Sequence, residues 1–273
     1  MILLFCFNSV LYALTEKAKI TIVYRKDIKI YRSLVKRFKE EFDVIDCPLP
    51  DKCSQKIINE SSLVISFGDS AARYLCNFKK KFLAFFLSDR ELLQICSSRE
   101  DSVFYFLFPT YVEVLKRLEY IFPDNARVAI LYSNNSKYWL ENIAYHGKFS
   151  VAFEQISTKE IADSLREIFE KDYNFFVLVP DYLFLQRKVL REIVKFSYIF
   201  QKPVIGFSSQ MLKYGLPIII TYDLNIFIPK MPTVIKNFSQ GLPLEAIPMR
   251  AVVNRKSLFY FKNIKLNRKF LYE

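Results

Sequence analysis

Short apolar runs alternate along this chain with longer segments whose apolar residues recur at helical spacing. In Ile28–Phe42, for example, Tyr31, Leu34, Val35 and Phe38 occupy positions i, i+3, i+4 and i+7, which predicts an amphipathic helix. The apolar runs predict β-strands at Ile20–Tyr24, Val44–Cys47, Leu63–Phe67, Lys81–Leu87, Val103–Phe108, Arg127–Tyr132, Val151–Ile156, Phe175–Val179, Val204–Gly206, Ile218–Tyr222 and Met249–Val253. Further helices are predicted at Ser54–Ser61, Asp69–Asn77, Thr110–Phe122, Lys137–His146, Thr158–Lys171, Leu183–Phe200 and Pro229–Ser239.

Strands that alternate with helices of this length predict right-handed βαβ units and parallel sheets. Continuous apolar strands are typical of parallel sheets covered on both faces. Because the pattern restarts at Pro109, we expect an α/β chain with two doubly wound Rossmann-like lobes and a ligand cleft between them. Lobe 1 is predicted to comprise residues 18–108 and about 223–250, and lobe 2 residues 109–222 with the C-terminal tail.

Composition agrees with two globular lobes, since the 273 residues are 52% hydrophobic and 25% charged. The formal net charge of +12 comes from Lys and Arg spread among Asp and Glu, as in Lys36–Glu41. Scattered charge predicts a solvated basic surface rather than a nucleic-acid partner. A partner with an anionic surface, such as a membrane face, is the alternative.

The N-terminal segment Met1–Leu14 contains no charged side chain. It is too short to span a bilayer, which takes about 20 apolar residues, but it fits the apolar core of a secretory signal with Ala13 before the cleavage point. A buried first strand is the competing interpretation. We therefore expect a periplasmic or extracytoplasmic protein, with tethering through this segment left open.

Four cysteines follow the predicted signal segment, namely Cys47, Cys53, Cys76 and Cys96. Cys47 and Cys53 flank a short loop that one disulfide could close, which leaves Cys76 and Cys96 for another. Reduced, half-buried thiols are the alternative. Zinc is disfavoured because the C-x5-C spacing is unusual and no histidine is nearby.

Polar residues follow the ends of several predicted strands, where open α/β sheets bind small ligands. A glycine turn with Ser70 suits a carboxylate, Asp181 suits an ammonium group, and Ser208 could bond either. These groups predict a small amino-acid-like ligand, an amino acid or related amine. The candidate ligand-binding residues are Gly68, Asp69, Ser70, Asp89, Tyr132, Asp181, Tyr182, Ser208, Ser209 and Asp223.

Catalysis is disfavoured. The single histidine, His146, is expected to cap a helix end, so a Ser-His or His-metal arrangement has no second partner. The sequence contains no Walker loop and no dinucleotide-binding fingerprint. We expect no enzymatic activity, no cofactor and no metal.

Several segments carry an ordered series of weak motifs. Leu63–Ala72 is similar to a strand followed by Gly-Thr-x-Ala-Ala, and Phe122–Tyr132 to Leu-Pro-x-Ala-x-Arg-Ile-x-Val-Leu-Tyr-Asn. Together with Phe82–Asp89, Pro203–Ser208 and Gly241–Pro248, they resemble the substrate-binding-protein family of bacterial ABC importers that includes tryptophan-binding lipoproteins. The resemblance implies a type I periplasmic-binding fold, a ligand bound by closure of two lobes, and delivery to an ABC permease. We also expect the protein to be a monomer.

Departures from the family pattern favour a second hypothesis. Asp69 replaces a threonine or serine, which indicates either a helix N-cap or a cationic ligand. Arg90 replaces a proline, and Ser97–Ser102 replaces an Asn-x-Thr-Gly segment. The alternative function is a ligand-less module that keeps the fold for protein docking or sensing, and aromatic side chains filling the cleft would favour it.

Overall fold

The chain forms two compact units in a computed structural model that describes residues 19–49, 53–99, 101–140 and 144–261. Of these residues, the first unit comprises those up to Leu107 together with Ile226–Ala246, and the second comprises those from Phe108 to Asn225 and from Ile247 onward. The predicted signal segment Met1–Leu14 lies outside the described residues.

The structure confirms a strand at every position where an apolar run predicts one. The strands are β1 Lys19–Arg25, β2 Asp43–Leu49, β3 Leu63–Phe67, β4 Phe82–Leu87, β5 Val103–Phe106, β6 Arg127–Tyr132, β7 Ser150–Gln155, β8 Phe175–Leu178, β9 Val204–Gly206, β10 Ile218–Tyr222 and β11 Met249–Val253. The α-helices are α1 Lys29–Glu41, α2 Gln55–Glu60, α3 Asp69–Leu75, α4 Leu92–Ile95, α5 Tyr111–Leu118, α6 Ile161–Glu170, α7 Tyr182–Leu185, α8 Arg187–Ile199, α9 Leu224–Phe227, α10 Met231–Ser239 and α11 Arg255–Phe259. Short 3₁₀ helices occupy Asn134–Trp139, Ser209–Tyr214 and Ile228–Lys230.

The sheet of the first unit has the strand order β2-β1-β3-β4-β5 and is parallel throughout. Every residue of β3 and β4 is buried, as expected for central parallel strands covered on both faces. The buried aromatic rings of Phe67, Phe85, Tyr105 and Phe227 form a chain of contacts, with centroids 5.1–6.2 Å apart. Phe227 reaches this core because the chain returns to the first unit near Ile226.

The sheet of the second unit has the strand order β7-β6-β8-β9-β10-β11. Its pairs are parallel, except that β11 runs antiparallel to β10 at the edge. Helix α5 begins at a capping box in which Thr110 Oγ1 accepts a bond from Glu113 N and Glu113 Oε2 accepts one from Thr110 N. The hydroxyl of Tyr222 at the end of β10 also contacts Glu113, at 3.0 Å, and so holds α5 against the sheet.

Two helix predictions are wrong in detail. The segment predicted as a helix over Lys137–His146 begins within the 3₁₀ helix Asn134–Trp139, and His146 lies exposed in irregular chain rather than at a helix end. The cause is local, because side chains of Ser133 and Ser136 bond nearby backbone groups, which competes with α-helix formation. The segment predicted as one helix over Leu183–Phe200 is two helices, since Gln186 is extended between α7 and α8.

Two disulfides brace the first unit, joining Cys47 to Cys53 and Cys76 to Cys96. The first links the end of β2 to the chain before α2. The second links the end of α3 to the end of α4, so it fixes the two helices that follow β3 and β4. No helix among the described residues is long and apolar enough to cross a membrane.

We predict that the two disulfides differ in their contribution to stability. Loop-closure entropy scales with the sequence separation, which is 20 residues for Cys76–Cys96 and 6 for Cys47–Cys53. Replacing Cys76 and Cys96 by serine should lower the free energy of unfolding by about 3 kcal/mol, against about 2 kcal/mol for Cys47 and Cys53. Urea unfolding followed by far-UV circular dichroism measures both.

Fluorescence of the single tryptophan supplies the control, because Trp139 is buried in the second unit and reports on that unit. If replacing Cys47 and Cys53 lowered the free energy of unfolding more than replacing Cys76 and Cys96, the loop-length explanation would be contradicted.

Candidate functional site

The two sheets repeat one strand arrangement. In each sheet the first strand, β1 or β6, lies between the second and third strands. The second strand is added on one side of the first strand, and all later strands are added on the other side. This reversal of strand order falls between β1 and β3 in the first sheet and between β6 and β8 in the second. At such a reversal the connecting segments leave in opposite directions and open a crevice beyond the carboxyl ends of the strands. The candidate residues are therefore described at the carboxyl edge of each sheet in turn.

Gly68 ends β3 in the first unit with a backbone conformation that other residues rarely adopt, φ 81° and ψ 166°. A Cβ atom at this position would lie 2.7 Å from Tyr31 Oη. Because Tyr31 belongs to α1, which follows β1, the phenol and the glycine turn meet at the β1/β3 reversal. Burial raises the pKa of Tyr31, and the charge of Asp69 acts in the same direction while Arg25 opposes it. At neutral pH the hydroxyl is therefore protonated and can donate a hydrogen bond.

Phe86 lies beside Tyr31 because β4 contains a bulge. Its φ is 62°, and the pairing of β4 with β5 shifts register between Ala84 and Leu87. An extra residue in a strand redirects the neighbouring side chains. The Phe86 ring stacks on Tyr31, with centroids 6.0 Å apart and planes 19° from parallel, and it also contacts Phe67. The glycine turn thus has an aromatic wall.

The prediction that Asp69 is the N-cap of its helix is wrong, because Gly68 holds that position and Asp69 is the first helical residue. The Asp69 carboxylate instead accepts bonds from the backbone N–H of Ser88 at 2.8 Å and of Asp89 at 3.1 Å, and from the Ser88 hydroxyl. Three donors to one carboxylate stabilise its charge. Asp69 therefore fastens α3 to the chain after β4, while Ser70 beside it is exposed.

Asp89 is already compensated by a cation within the first unit. Arg73 of α3 pairs with Asp89 and lies 3.1 Å from Glu91. The other oxygen of Asp89 accepts a bond from Glu91 N at 3.0 Å. This partly exposed cluster sets the path of the chain between β4 and α4, so Asp89 has a structural partner of its own.

In the second unit a hydrogen bond crosses the β6/β8 reversal. Ser133, directly after β6, donates its hydroxyl to Asp181 Oδ2, and Asp181 Oδ1 accepts a bond from Leu183 N at 2.8 Å as the cap of α7. Both side chains are buried. Ser133 was not among the predicted site residues, although it follows a parallel strand in the same way as they do.

Asp181 is buried and forms no ion pair among the described residues. Only 6% of the residue is exposed, and among the described residues it forms no ion pair with Lys, Arg or His. Buried carboxylates are usually paired with a cation or a metal. Two neutral donors leave part of its hydrogen-bonding capacity unused, since a carboxylate offers about four acceptor positions.

The remaining candidates of the second unit lie at neighbouring strand ends. Tyr132 is half-buried at the end of β6, whereas Tyr182, next to Asp181, is 77% exposed. Ser208 is half-buried after β9, one strand from Asp181, and Ser209 is exposed.

Asp223 follows β10, two strands from Asp181, which corresponds to roughly 10 Å along the edge. Its carboxylate already has two partners there. Oδ1 accepts a bond from Asn225 N at 3.1 Å, and Oδ2 lies 3.6 Å from Arg250 Nη1. The chain therefore places Asp181, Tyr182 and Ser208 at adjacent strand ends and Asp223 farther away.

A cavity of about 430 Å³ lies at the opposite, amino-terminal edge of the second sheet, between the segments that precede β6, β8 and β9. The ammonium group of Lys202, in its lining, donates to the carbonyls of Phe169 and Lys171 and so closes the end of α6. None of the candidate residues lies there. In the described part of the chain, no group of three or more His, Cys, Asp or Glu could hold a metal ion.

Comparison with known proteins gives matches in structure but not in sequence. No protein-family model matches the chain, and no curated protein matches it. Among solved structures, the chain is similar to an ABC domain in complex with L-Trp from Streptococcus pneumonia, with a TM-score of 0.58, 16% identity and coverage of 94% of this chain and 98% of that one.

A ligand-free, open substrate-binding protein with adhesive properties from Clostridium difficile gives a TM-score of 0.63, 16% identity and coverage of 90% and 95%. A conserved domain protein from Vibrio cholerae gives a TM-score of 0.54 and 11% identity, with coverage of 94% of this chain and 98% of that one. The chain thus has the two-lobe α/β fold of type I periplasmic binding proteins, as the sequence motifs predicted.

We predict that Gly68→Ala destabilises the first unit more than Gly241→Ala does. Both glycines have positive φ, 81° and 67°, but no atom lies within 4 Å of a Cβ at Gly241. Gly241→Ala should cost about 1 kcal/mol from its backbone conformation alone, and Gly68→Ala about 2–3 kcal/mol because its φ/ψ region is less accessible and Tyr31 must move. Urea unfolding measures the difference, and equal costs would show that Tyr31 does not pack on the turn.

Proposed function

We propose that this chain is the extracytoplasmic solute-binding component of an ABC importer, and that its ligand is a small amino-acid-like molecule with a protonated amine. The shared fold supports the class of protein. The observation that carries the ligand chemistry is the buried Asp181 carboxylate at the β6/β8 reversal, held by Ser133 and Leu183 without a cation among the described residues.

The electrostatics of Asp181 support an amine. Burying an ionised carboxylate is costly unless a positive charge compensates it. The two bonds from Ser133 and Leu183 fix the orientation of the carboxylate before any ligand arrives, which lowers the entropic cost of binding. An ammonium group would supply the missing charge, and the rings of Tyr132 and Tyr182 nearby could also attract it.

The first unit carries hydroxyl donors of its own at the β1/β3 reversal. Tyr31 presents a protonated hydroxyl beside the Gly68 turn, and Ser70 presents an exposed one. Hydroxyl donors suit a ligand carboxylate. Because Asp69 is already bonded to Ser88 and Asp89, its charge does not require a cationic ligand there.

The proposed transport role also includes a permease partner and a location outside the cytoplasm. Delivery of the ligand to an ABC permease follows from the importer class, and we propose a monomeric receptor that reaches the permease outside the cytoplasm. The Met1–Leu14 segment, read as a secretory signal, supports this location.

A second candidate function is a ligand-less docking or sensor module. The observation that favours it is the Tyr31 ring, which lies against Gly68 and stacks on Phe86, since aromatic side chains then occupy the space that a ligand would take. Binding of an amine to the purified chain discriminates between the two functions.

Thermal unfolding of the purified chain against L-amino acids, polyamines and short peptides tests the proposal. A ligand at 100 times its Kd stabilises the folded state by about 2.7 kcal/mol, so true ligands should raise Tm by several degrees. The same compounds with acetylated amines should give no shift. If no free amine shifts Tm in a folded sample, the docking module becomes the better account.

The matched variants are Asp181→Asn and Asp223→Asn. Asparagine can accept the bond from Leu183 N through Oδ1 and donate from Nδ2 to the Ser133 hydroxyl oxygen, so Asp181→Asn keeps both contacts and removes the charge. We expect it to weaken amine binding by about 2–3 kcal/mol, in the range for one partner of a buried charge pair. Asp223→Asn should leave affinity unchanged because Asp223 already pairs with Arg250. Equal effects would contradict the role of Asp181.

A further inference from the structure

The cavity at the amino-terminal edge of the second sheet lies away from every candidate ligand-binding residue. Its volume of about 430 Å³ falls within the range of about 300–1,000 Å³ that is typical of small-molecule sites. Strand β6 separates this edge from the one that carries Ser133 and Asp181, and its 6 residues span roughly 20 Å. A small molecule in the cavity would therefore not touch Asp181.

Aromatic rings form much of the apolar lining. Phe122, Tyr173 and Phe200 all line the cavity. The Phe122 ring is held by stacking on Phe175, with centroids 4.2 Å apart and planes 19° from parallel, and the Tyr173 hydroxyl donates to Glu154 Oε1 at 2.6 Å. Phe200 is half-buried at the end of α8. Rings that are held in place favour a flat apolar ligand.

The loops around the cavity have uncommon backbone conformations. Among the described residues, three that are not glycine have positive φ, and two of them, Asn125 at 64° and Gln201 at 54°, line this cavity. Such conformations persist where the surrounding structure holds them, and they cluster at functional sites. Here Asn125 N donates to Lys148 O at 3.1 Å, and Gln201 Nε2 donates to Tyr198 O at 2.8 Å. The walls of the cavity are therefore formed before any ligand arrives.

Lys202 brings a positive charge to the lining. Its ammonium group donates to the carbonyls of Phe169 and Lys171, which carry only the partial negative charge of a helix end. Lys202 is half-buried and forms no ion pair in the part of the chain that the structure describes. Burial lowers its pKa, and the charge of Asp172 opposes this only in part. An ammonium group has three donor positions, so one remains for a ligand.

The other charges around the cavity are paired with one another. Asp124, also in the lining, pairs with Lys148 at 2.9 Å, and Arg127 pairs with Asp172 at 2.6 Å. All four side chains are more than half exposed, so water screens them. The charge that a ligand can compensate is therefore that of Lys202, and a carboxylate forms a strong hydrogen bond with an ammonium group.

We propose that this cavity binds a small aromatic carboxylate, whose carboxylate accepts a hydrogen bond from Lys202 Nζ and whose ring packs on the aromatic lining. An inorganic anion would leave the rings without a contact, and an amine would meet the positive charge of Lys202. The site lies within the second unit and does not depend on the amine ligand of Asp181.

Titration of the purified chain with 4-fluorophenylacetate, followed by fluorine NMR, tests the site. The uncharged 4-fluorophenylacetamide has the same ring and should bind at least about ten times more weakly, because it lacks the charge that strengthens the bond to Lys202. An excess of inorganic phosphate should not displace the acid. Asp181→Asn should leave its affinity unchanged, so this result and the test of the amine site are independent.

The variant Lys202→Met removes the charge at similar side-chain length and should weaken binding of the acid by about ten-fold or more. Lys202→Arg keeps the charge and should retain most of the binding. The matched control is Lys188→Met, which removes an exposed charge about 18 Å away at the other end of α8 and should have no effect.

A second variant leaves the bonds of Lys202 to the end of α6 intact. Phe200→Ala removes one ring of the lining and should weaken binding by about two- to ten-fold. Phe259→Ala removes a ring that is 86% exposed on α11 and outside the lining, and should not change the affinity. Far-UV circular dichroism checks that each variant is folded.

Several results would overturn the proposal. They are no saturable binding of 4-fluorophenylacetate, equal affinity for the acid and the amide, or equal losses in Lys202→Met and Lys188→Met. Displacement by phosphate would also overturn it, since it would show a site for anions in general. Loss of binding in Asp181→Asn, with retention in Lys202→Met and Phe200→Ala, would place the aromatic acid at the other edge of the sheet.

Discussion

Parallel strand pairing is the constraint on which the rest of this structure depends. Each strand of a parallel sheet needs a crossover before the next one begins, so the carboxyl ends of β1–β5 share one edge, and those of β6–β10 share another. The polar residues that follow each strand are thereby gathered although they are far apart in sequence. Ser133 and Asp181 are 48 residues apart and still form one hydrogen bond, and Tyr31 reaches Gly68 across the β1/β3 reversal.

Two carboxylates at these edges differ in a way that governs what each can do. Asp69 is half-buried and accepts three hydrogen bonds from the chain after β4. Its carboxylate therefore anchors α3 to that segment. Asp181 is more deeply buried and receives two bonds from neutral donors. Placement at a strand end thus creates a candidate, but the neighbouring donors and cations decide whether its charge is available to a ligand.

The positions of the strands could be predicted from the sequence because apolar runs such as Leu63–Phe67 and Phe82–Leu87 are bounded by polar and turn-forming residues. Other features depend on contacts that periodicity does not encode. The bulge at Phe86 lies inside an uninterrupted apolar run, and Tyr31 has the spacing of an ordinary core position of α1. The 3₁₀ helix after Ser133 was missed because side-chain bonds to the backbone replaced the helical pattern. The role of Asp69 depended on Ser88, a residue without any sequence signal.

The position of a bound amine relative to Asp181 tests the central claim most directly. A crystal structure of the chain with its tightest amine ligand would locate the ammonium nitrogen. The account predicts that it lies about 2.7–3.2 Å from an Asp181 carboxylate oxygen, with the bond from Ser133 retained. An ammonium group bound elsewhere, with Asp181 touching only Ser133 and Leu183, would contradict it.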